Sequence, residues 1–453
     1  MNRSSTLRLG ALVAACVMFA GACSSDKSSS DTSAPGTSAA SVDTGSDSTA
    51  AAVAETTAAV AETTAATDTT VSSSGGVAAD RSGQTIKVGF VNMDGGPFAF
   101  PEFRIGGELA IKQINDGGGI NGAKLEVVSC STDLTPEKSI DCANQLVQAN
   151  VAIAYTAIDL ASDAALPIYQ AAGIPYVTTN NWGAVQSTAD GSHLLHLASD
   201  AFVVGALELM SKLGVTKMAN LYEKSPAAED FVTNVVPPLA KKYGVDLKTI
   251  GIDAAAPDWT SGVATAQAGG AEVIYGQFSE PGCTALIKAA RAAKFAGTII
   301  AGACNAFLKD LGDDAVGVYT LLDQLEPSTE ASAPPEIAKH LADWKTLMDA
   351  AGQSKYVEGY ALWPFGAWME LREVLRSIDG EITAKSVEAA LDRDVKIPGW
   401  FGADLNCGAA LWPSSKANCS ATLGVYQTKK DGDTLVRTEV IPFFDAYAKS
   451  QGK

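Results

Sequence analysis

From residue 86 to about residue 301 the chain alternates short β-branched runs with amphipathic stretches, and it does so in two successive series. Ile86–Val91 predicts a strand and residues 101–116 a helix. The strands Lys124–Cys130, Val151–Thr156 and Ile174–Thr178 follow, separated by helices over 135–149 and 162–172. Thr135 stands as an N-cap with Pro136 in the first helical position, and Ile140, Ala143, Leu146 and Val147 share one helix face. The pattern then restarts: helix 200–213, strand Lys217–Tyr222, helix 226–243, strand Val245–Ile252, helix 260–268, strand Glu272–Gln277, helix 283–294 and strand Gly297–Ala301. Alternation of this kind produces parallel sheets covered by helices. Two such series argue for an α/β chain with two doubly wound lobes instead of one large sheet.

In open parallel sheets a ligand sits beyond the carboxyl ends of the strands, where loops and helix N-termini gather. The loops that matter are therefore 92–100, 156–162, 178–183, 222–227, 277–283 and 302–306. They hold the aromatics Phe98, Phe100, Trp182, Tyr222 and Phe278, together with the polar side chains Asn92, Ser162, Asn180, Asn181 and Asn305. A largely apolar pocket with a few polar fixers suits a small neutral or zwitterionic solute. Each aromatic has core packing as its plain alternative, and the Asn180–Asn181 pair has turn chemistry. After a strand from Val318 come helices near 334–351, 356–377 and 383–391, then β-rich or irregular structure.

The amino-terminal part is of another kind. Arg3 and Arg8 precede an uncharged stretch, Leu9 to Ala22, too short for the roughly 20 residues of a membrane-spanning helix. Residues 1–22 read as a secretion signal. The run Ala20-Gly21-Ala22-Cys23 resembles the lipobox of bacterial lipoproteins, which implies acylation of Cys23 after cleavage; an ordinary cleavage site is the alternative. From 23 to 83 the chain is Ser, Thr, Ala and Asp with almost no large apolar residue, so it cannot bury enough surface to offset its ordering entropy. It is expected to be a flexible linker reaching about 40 Å from the anchor. Two copies of AVAETTA within it contain no Leu or Ile and make no coiled-coil seam.

A net charge of −18 disfavours nucleic acid as a partner. Apart from Cys16 and Cys23, six cysteines remain, an even count that suggests bridges in an exported protein. Six cysteines allow 15 pairings, and proximity in sequence favours Cys130–Cys142, Cys283–Cys304 and Cys407–Cys419. Each bridge would add about 3 kcal/mol. No pair is spaced tightly enough for zinc, and His193 and His196 are expected on opposite faces of a strand, so neither metal nor cofactor is expected. The chain has no Gly-x-Ser-x-Gly elbow, no His-Glu-x-x-His and no Walker loop, which argues against an enzyme. Gly117–Gly122 matches G-x-G-x-x-G, but it follows a helix and precedes a strand, so it is a helix C-cap and turn.

The segments IKVGFVNMDGG, IKQINDGGGINGAKLEVVSCSTD, TPEKSIDCANQLV and AAGIPYV resemble the type I periplasmic binding proteins, in particular their branched-chain-amino-acid-like subgroup. The resemblance implies three linking strands, near His193–Ala198, Gly317–Leu322 and Leu423–Gln427. These divide the chain into one lobe of 84–197 plus 317–424 and a second of 198–316 plus 425–453, closing on a small solute. It also implies a carboxylate subsite. Ser162 matches at a helix N-terminus, whereas Asn180, Asn181 and Trp182 stand where a small residue and Thr are expected. The family's ammonium-binding Glu is replaced by Gly302-Ala303-Cys304-Asn305, leaving Asp94 or Glu280 to supply a charge from another loop. The expected function is an extracytoplasmic lipoprotein, acting as a monomer, that delivers a small polar solute to an ABC-type permease. A receptor domain of the same fold that signals to a partner protein is the alternative.

Overall fold

The computed structural model describes residues 80–452, apart from 96–98, 134, 160, 181–183, 197–198, 278, 410 and 413–414. The expected secretion signal, Cys23 and nearly all of the expected linker lie outside the described residues, as do Phe98, Asn181, Trp182 and Phe278. Arg81, inside the stretch expected to be linker, is buried, and its guanidinium donates to the carbonyls of Ile378 and Gly380.

The first series builds β1 (Thr85–Asn92), α1 (Pro101–Asp116), β2 (Lys124–Ser131), α2 (Pro136–Ala149), β3 (Ala154–Thr156), α3 (Leu166–Ala172), β4 (Tyr176–Thr178), α4 (Ala184–Thr188) and β5 (Ser192–Leu194). Its five strands form one parallel sheet in the order β2-β1-β3-β4-β5. The second series builds α5 (Ser199–Leu213), β6 (Lys217–Glu223), α6 (Pro226–Asn234), α7 (Val236–Lys242), β7 (Asp246–Ile252), α8 (Trp259–Ala268), β8 (Val273–Gln277), α9 (Glu280–Ala292), β9 (Thr298–Ile300), α10 (Phe307–Leu311) and β10 (Tyr319–Leu322). Then come α11 (Pro335–Ala350), α12 (Leu362–Arg376), α13 (Ala384–Leu391), β11 (Thr422–Asp431), β12 (Thr434–Asp445) and α14 (Ala446–Ser450). The second sheet runs β12-β11-β10-β9-β8-β6-β7; its strands are parallel except for β11 and β12, which add as an antiparallel hairpin beside β10.

The chain crosses between the two sheets three times: after β5, after β10 and just before β11. Because β10 and β11 pair inside the seven-stranded sheet, the second and third crossings fall beside these strands and not within them. Helices α11 and α12 return to the first sheet, where Trp344, Trp368 and Phe401 share a core with Phe90 and Tyr155. Trp368 meets the rings of Phe90 and Tyr155 edge-on, at 6.1 and 5.2 Å between centroids. The opposite face of that sheet is covered by Ala143, Leu146, Leu166 and Tyr169 from α2 and α3. Both faces of the second sheet are likewise buried, which completes two doubly wound lobes.

Close approach of α1 to α12 depends on glycine. A Cβ at Gly106 would collide with the backbone carbonyl of Ala361, and one at Gly107 would run into the Phe90 ring. Backbone cannot move aside as a flexible side-chain tip does, so Gly106→Ala is expected to lower stability by about 2–3 kcal/mol in urea unfolding. An unchanged unfolding midpoint would show that the two helices are not held this closely.

Candidate functional site

Strand order locates the site. In the first sheet the order reverses between β1 and β3, and in the second between β6 and β8. The carboxyl ends at these switch points are where loops diverge and leave a crevice. They carry Asn92 and Asp94, the 157–159 turn, Tyr222 and Glu223, and Ser279 with the start of α9.

Two cavities draw walls from both lobes here. One, of about 350 Å³, is lined by Ala99 and Phe100 at the start of α1 and by Glu223, Pro257, Trp259 and Ser279 of the second lobe. The other, of about 440 Å³, is lined by Glu102 of α1 and Tyr356, Glu358 and Tyr360 ahead of α12, and by Glu280, Asn305 and Lys309 of the second lobe. Phe100, Phe103, Tyr360 and Trp363 form a chain of ring contacts between them, with centroids 4.5–6.3 Å apart. The N-termini of α1 and α9 therefore flank both spaces, one from each lobe.

Second-lobe loops are tied by carboxylates. Glu223 accepts from the Ser279 amide and hydroxyl, both at 2.9 Å, and Ser279 in turn caps α9 through the Gly282 amide. Glu280 accepts from the Asn305 and Ala306 amides at 2.7–3.0 Å and is hydrogen-bonded to Tyr360 across the lobes. Burial pushes the Glu280 carboxyl up, against the pull of those amides and of Arg437. Behind Asn305 lies a fully buried ion pair, Arg437 to Glu326 at 2.8 Å. Arg437 also donates to the Cys304 carbonyl at 3.1 Å and to Asn305 Oδ1. Glu358 sits close enough to Glu326 for each to affect the other's titration; burial raises both, Glu326 far above the usual carboxylate range.

The sequence-derived residues divide accordingly. Glu280 and Asn305 come together on one cavity wall. Asp94 is held by Arg104 at 3.3 Å and by the Ser131 hydroxyl at 3.0 Å, so its charge is already partnered. Ser162 is fully buried and its hydroxyl donates to the Asp159 carbonyl at 2.8 Å. Asn92 and Asn180 are buried at the first lobe's rim, each with its Oδ1 lacking a partner. Tyr222 packs in the second lobe's core beside Gly251, hydrogen-bonded to Glu229, with its hydroxyl pushed up to about 12 by burial and by that carboxylate. Sequence reasoning missed Glu102, Glu223, Glu326, Glu358, Tyr360 and Arg437. All but Glu102 and Glu223 come from beyond residue 317, where the βα rhythm that flagged strand ends had stopped.

The six cysteines are joined as Cys130–Cys142, Cys283–Cys304 and Cys407–Cys419. The second of these fixes the start of α9 to the loop after β9, so Glu280 and Asn305 lie just outside the two ends of one covalently closed segment. His193 and His196 are both buried, paired with Glu388 at 3.2 Å and with Glu370 at 3.1 Å.

Two doubly wound lobes joined by three crossings, their switch points sharing cavities, define the type I periplasmic-binding fold. The chain belongs to the periplasmic binding protein family, whose model matches residues 85–410. It is 30% identical over 263 residues to the Leu/Ile/Val/Thr-binding protein of Salmonella typhimurium, covering 55% of this chain and 71% of that protein. Its fold matches an ABC-transporter solute-binding protein of Rhodopseudomonas palustris BisB5 in complex with 3,4-dihydroxybenzoic acid (TM-score 0.65, 18% identity, 80% and 98% coverage). It also matches the branched-chain amino acid transporter substrate-binding protein of Streptococcus pneumoniae in complex with isoleucine (TM-score 0.63, 19% identity, 79% and 100% coverage). The chain is therefore a periplasmic binding protein, and the curated relatives it matches are named for the amino acids they bind. Among the described residues no helix is long and apolar enough to cross a membrane.

Proposed function

We propose that the protein is a lipoprotein, held to the membrane through Cys23 and the 23–83 linker, that captures a small polar solute as a monomer and delivers it to an ABC-type permease. The observation that carries this reading is the pair of cavities whose walls come from the N-termini of α1 and α9 on opposite lobes. A solute lodged there touches both lobes at once, so its binding energy favours their closed arrangement over an open one. The permease then has a ligand-dependent surface to recognise. Relatives named for Leu, Ile, Val and Thr, and neighbours holding a hydroxybenzoate or isoleucine, set the range of solute sizes to try.

Isothermal titration of the purified mature protein against amino acids, amides, polyols and aromatic carboxylates is expected to yield saturable one-to-one binding to one class. The same solute raises stability by about 2.7 kcal/mol at roughly 100 times its Kd. Absence of binding across the whole panel would overturn the reading. For the anchor, metabolic labelling with a palmitate analogue is expected to tag the wild-type protein and not Cys23→Ala.

A further inference from the structure

We infer that the larger inter-lobe cavity takes the positively charged end of the solute, making the substrate class a small organic cation with a hydrogen-bond acceptor beside its charged centre. This rests on the solute-binding reading and narrows it. The lining carries Glu102, Glu280, Glu358 and Asp310 against Lys309 and Lys355. Their positions differ: both lysines and Asp310 are exposed, whereas the three glutamates are half-buried along the inner walls. Lys355 lies over the Tyr356 ring at 4.4 Å. Farther in, Glu326 and Arg437 cancel one another as an ion pair and leave the acidic excess in place.

One group points to something not supplied by the protein. Asn305 is 1% exposed, and its Oδ1 accepts from Arg437, which fixes the amide so that Nδ2 is the free end; that Nδ2 has no partner. The Glu358 carboxylate lines the same cavity, hydrogen-bonded on its inner side to Ser328 and Glu326. An unpartnered amide donor and a carboxylate on one cavity wall match an acceptor and a cationic donor on one ligand. Tyr360, which lines the same cavity, adds a ring to which a cationic centre is attracted. The volume, about 440 Å³, falls in the usual range for a small-molecule site. The carboxylates gathered here come from α1, α9 and the segment ahead of α12.

The test uses three solutes of one shape and different charge: leucinamide, leucine and 4-methylpentanoate, with choline as a second cation. Titrations are run on the wild type, Glu358→Gln and Glu102→Gln. Leucinamide or choline is expected to bind the wild type, with affinity about 10- to 100-fold weaker in Glu358→Gln. Unchanged thermal melting of the unliganded variants separates this loss from misfolding. Titration in two buffers of different ionisation enthalpy adds a second readout. A bound cation favours ionised Glu102, Glu280 and Glu358, so binding releases protons and tightens as pH rises from about 5 to about 8. Binding of leucine or 4-methylpentanoate without any cation would overturn the inference and leave the solute-binding reading standing. Failure of every solute in the wider panel would remove both. Cation binding equally strong in both variants would move the site elsewhere and overturn the assignment.

Discussion

Replacement of Arg437 by Met is expected to destabilise the folded part by about 3–5 kcal/mol near pH 8, measured by urea unfolding. Arg437 is the guanidinium among three buried or half-buried glutamates, and it reaches Glu326, Asn305 and the Cys304 carbonyl from β12. Met matches much of the side-chain volume, so the loss is not chiefly one of packing. What is lost is the counter-charge, and a carboxylate left without one in a dry site is more costly than the intact pair is beneficial.

The effect has a pH signature whose sign follows from linkage. Glu326, Glu358 and Glu280 all have carboxyls raised above the ordinary value by burial. A raised acid holds its proton in the fold after the unfolded chain has released it. Its stability contribution is therefore intact below the unfolded value, 4.5, and declines as pH climbs through the folded one. Without Arg437 the remaining charges are harder to accommodate, so the penalty in the variant grows with pH and shrinks toward about pH 4, where the glutamates are neutral in both proteins. A penalty independent of pH would mean that the guanidinium matters only through packing and its neutral hydrogen bonds.

The legible part of this molecule is local. The βα rhythm placed the strands of both series except β5, which only the family resemblance suggested, and Thr135 with Pro136 marked the start of α2, where Thr135 accepts from the Lys138 amide at 3.4 Å. Two disagreements over helix bounds trace to proline. Residues 226–243 form two helices because Pro237 and Pro238 have no amide hydrogens to donate back into the preceding turn, so α6 stops at Asn234. The helix expected from 356 starts at Leu362, with Pro364 in its first turn, which leaves Tyr356–Tyr360 free to line the cavity. The site itself was only half visible. Asn305 lies at a strand end and was found by that rule, whereas Glu280 was reached only through the family resemblance. Arg437 and Glu326 are 111 positions apart, and Arg437 sits in a strand whose other charged residues face solvent, so sequence alone offers no cue that these two meet.

The first crossing between lobes carries another buried pair, and its removal is the second large effect expected. His196, 1% exposed, lies between β5 and α5 and meets Glu370 of α12 at 3.1 Å, while Glu370 also accepts from the Trp400 amide at 2.9 Å. Burial pushes the imidazole down, but the charge and hydrogen bond of Glu370, aided by Asp323 beside the second crossing, outweigh it and hold His196 above its ordinary value. Glu370→Ala strands both His196 and the Trp400 amide and is expected to cost about 3–5 kcal/mol. Glu370→Gln keeps the shape and removes the charge. For a raised histidine the stabilisation is complete below the unfolded value, 6.5, and disappears as pH rises through the folded one. The buried glutamates tilt stability in the same direction, so the informative quantity is the difference between wild type and variant. Glu370→Gln should flatten the decline in stability above pH 6.5, and His196→Gln should flatten it to the same degree, because either change leaves no imidazolium to deprotonate. A slope unchanged in both variants would show that His196 is neutral in the fold and meets Glu370 as an imidazole, without an ion pair. A flattened slope would make the first crossing a place where protonation biases the geometry linking the lobes, since His196 belongs to the crossing and Glu370 to a helix packed on the first sheet.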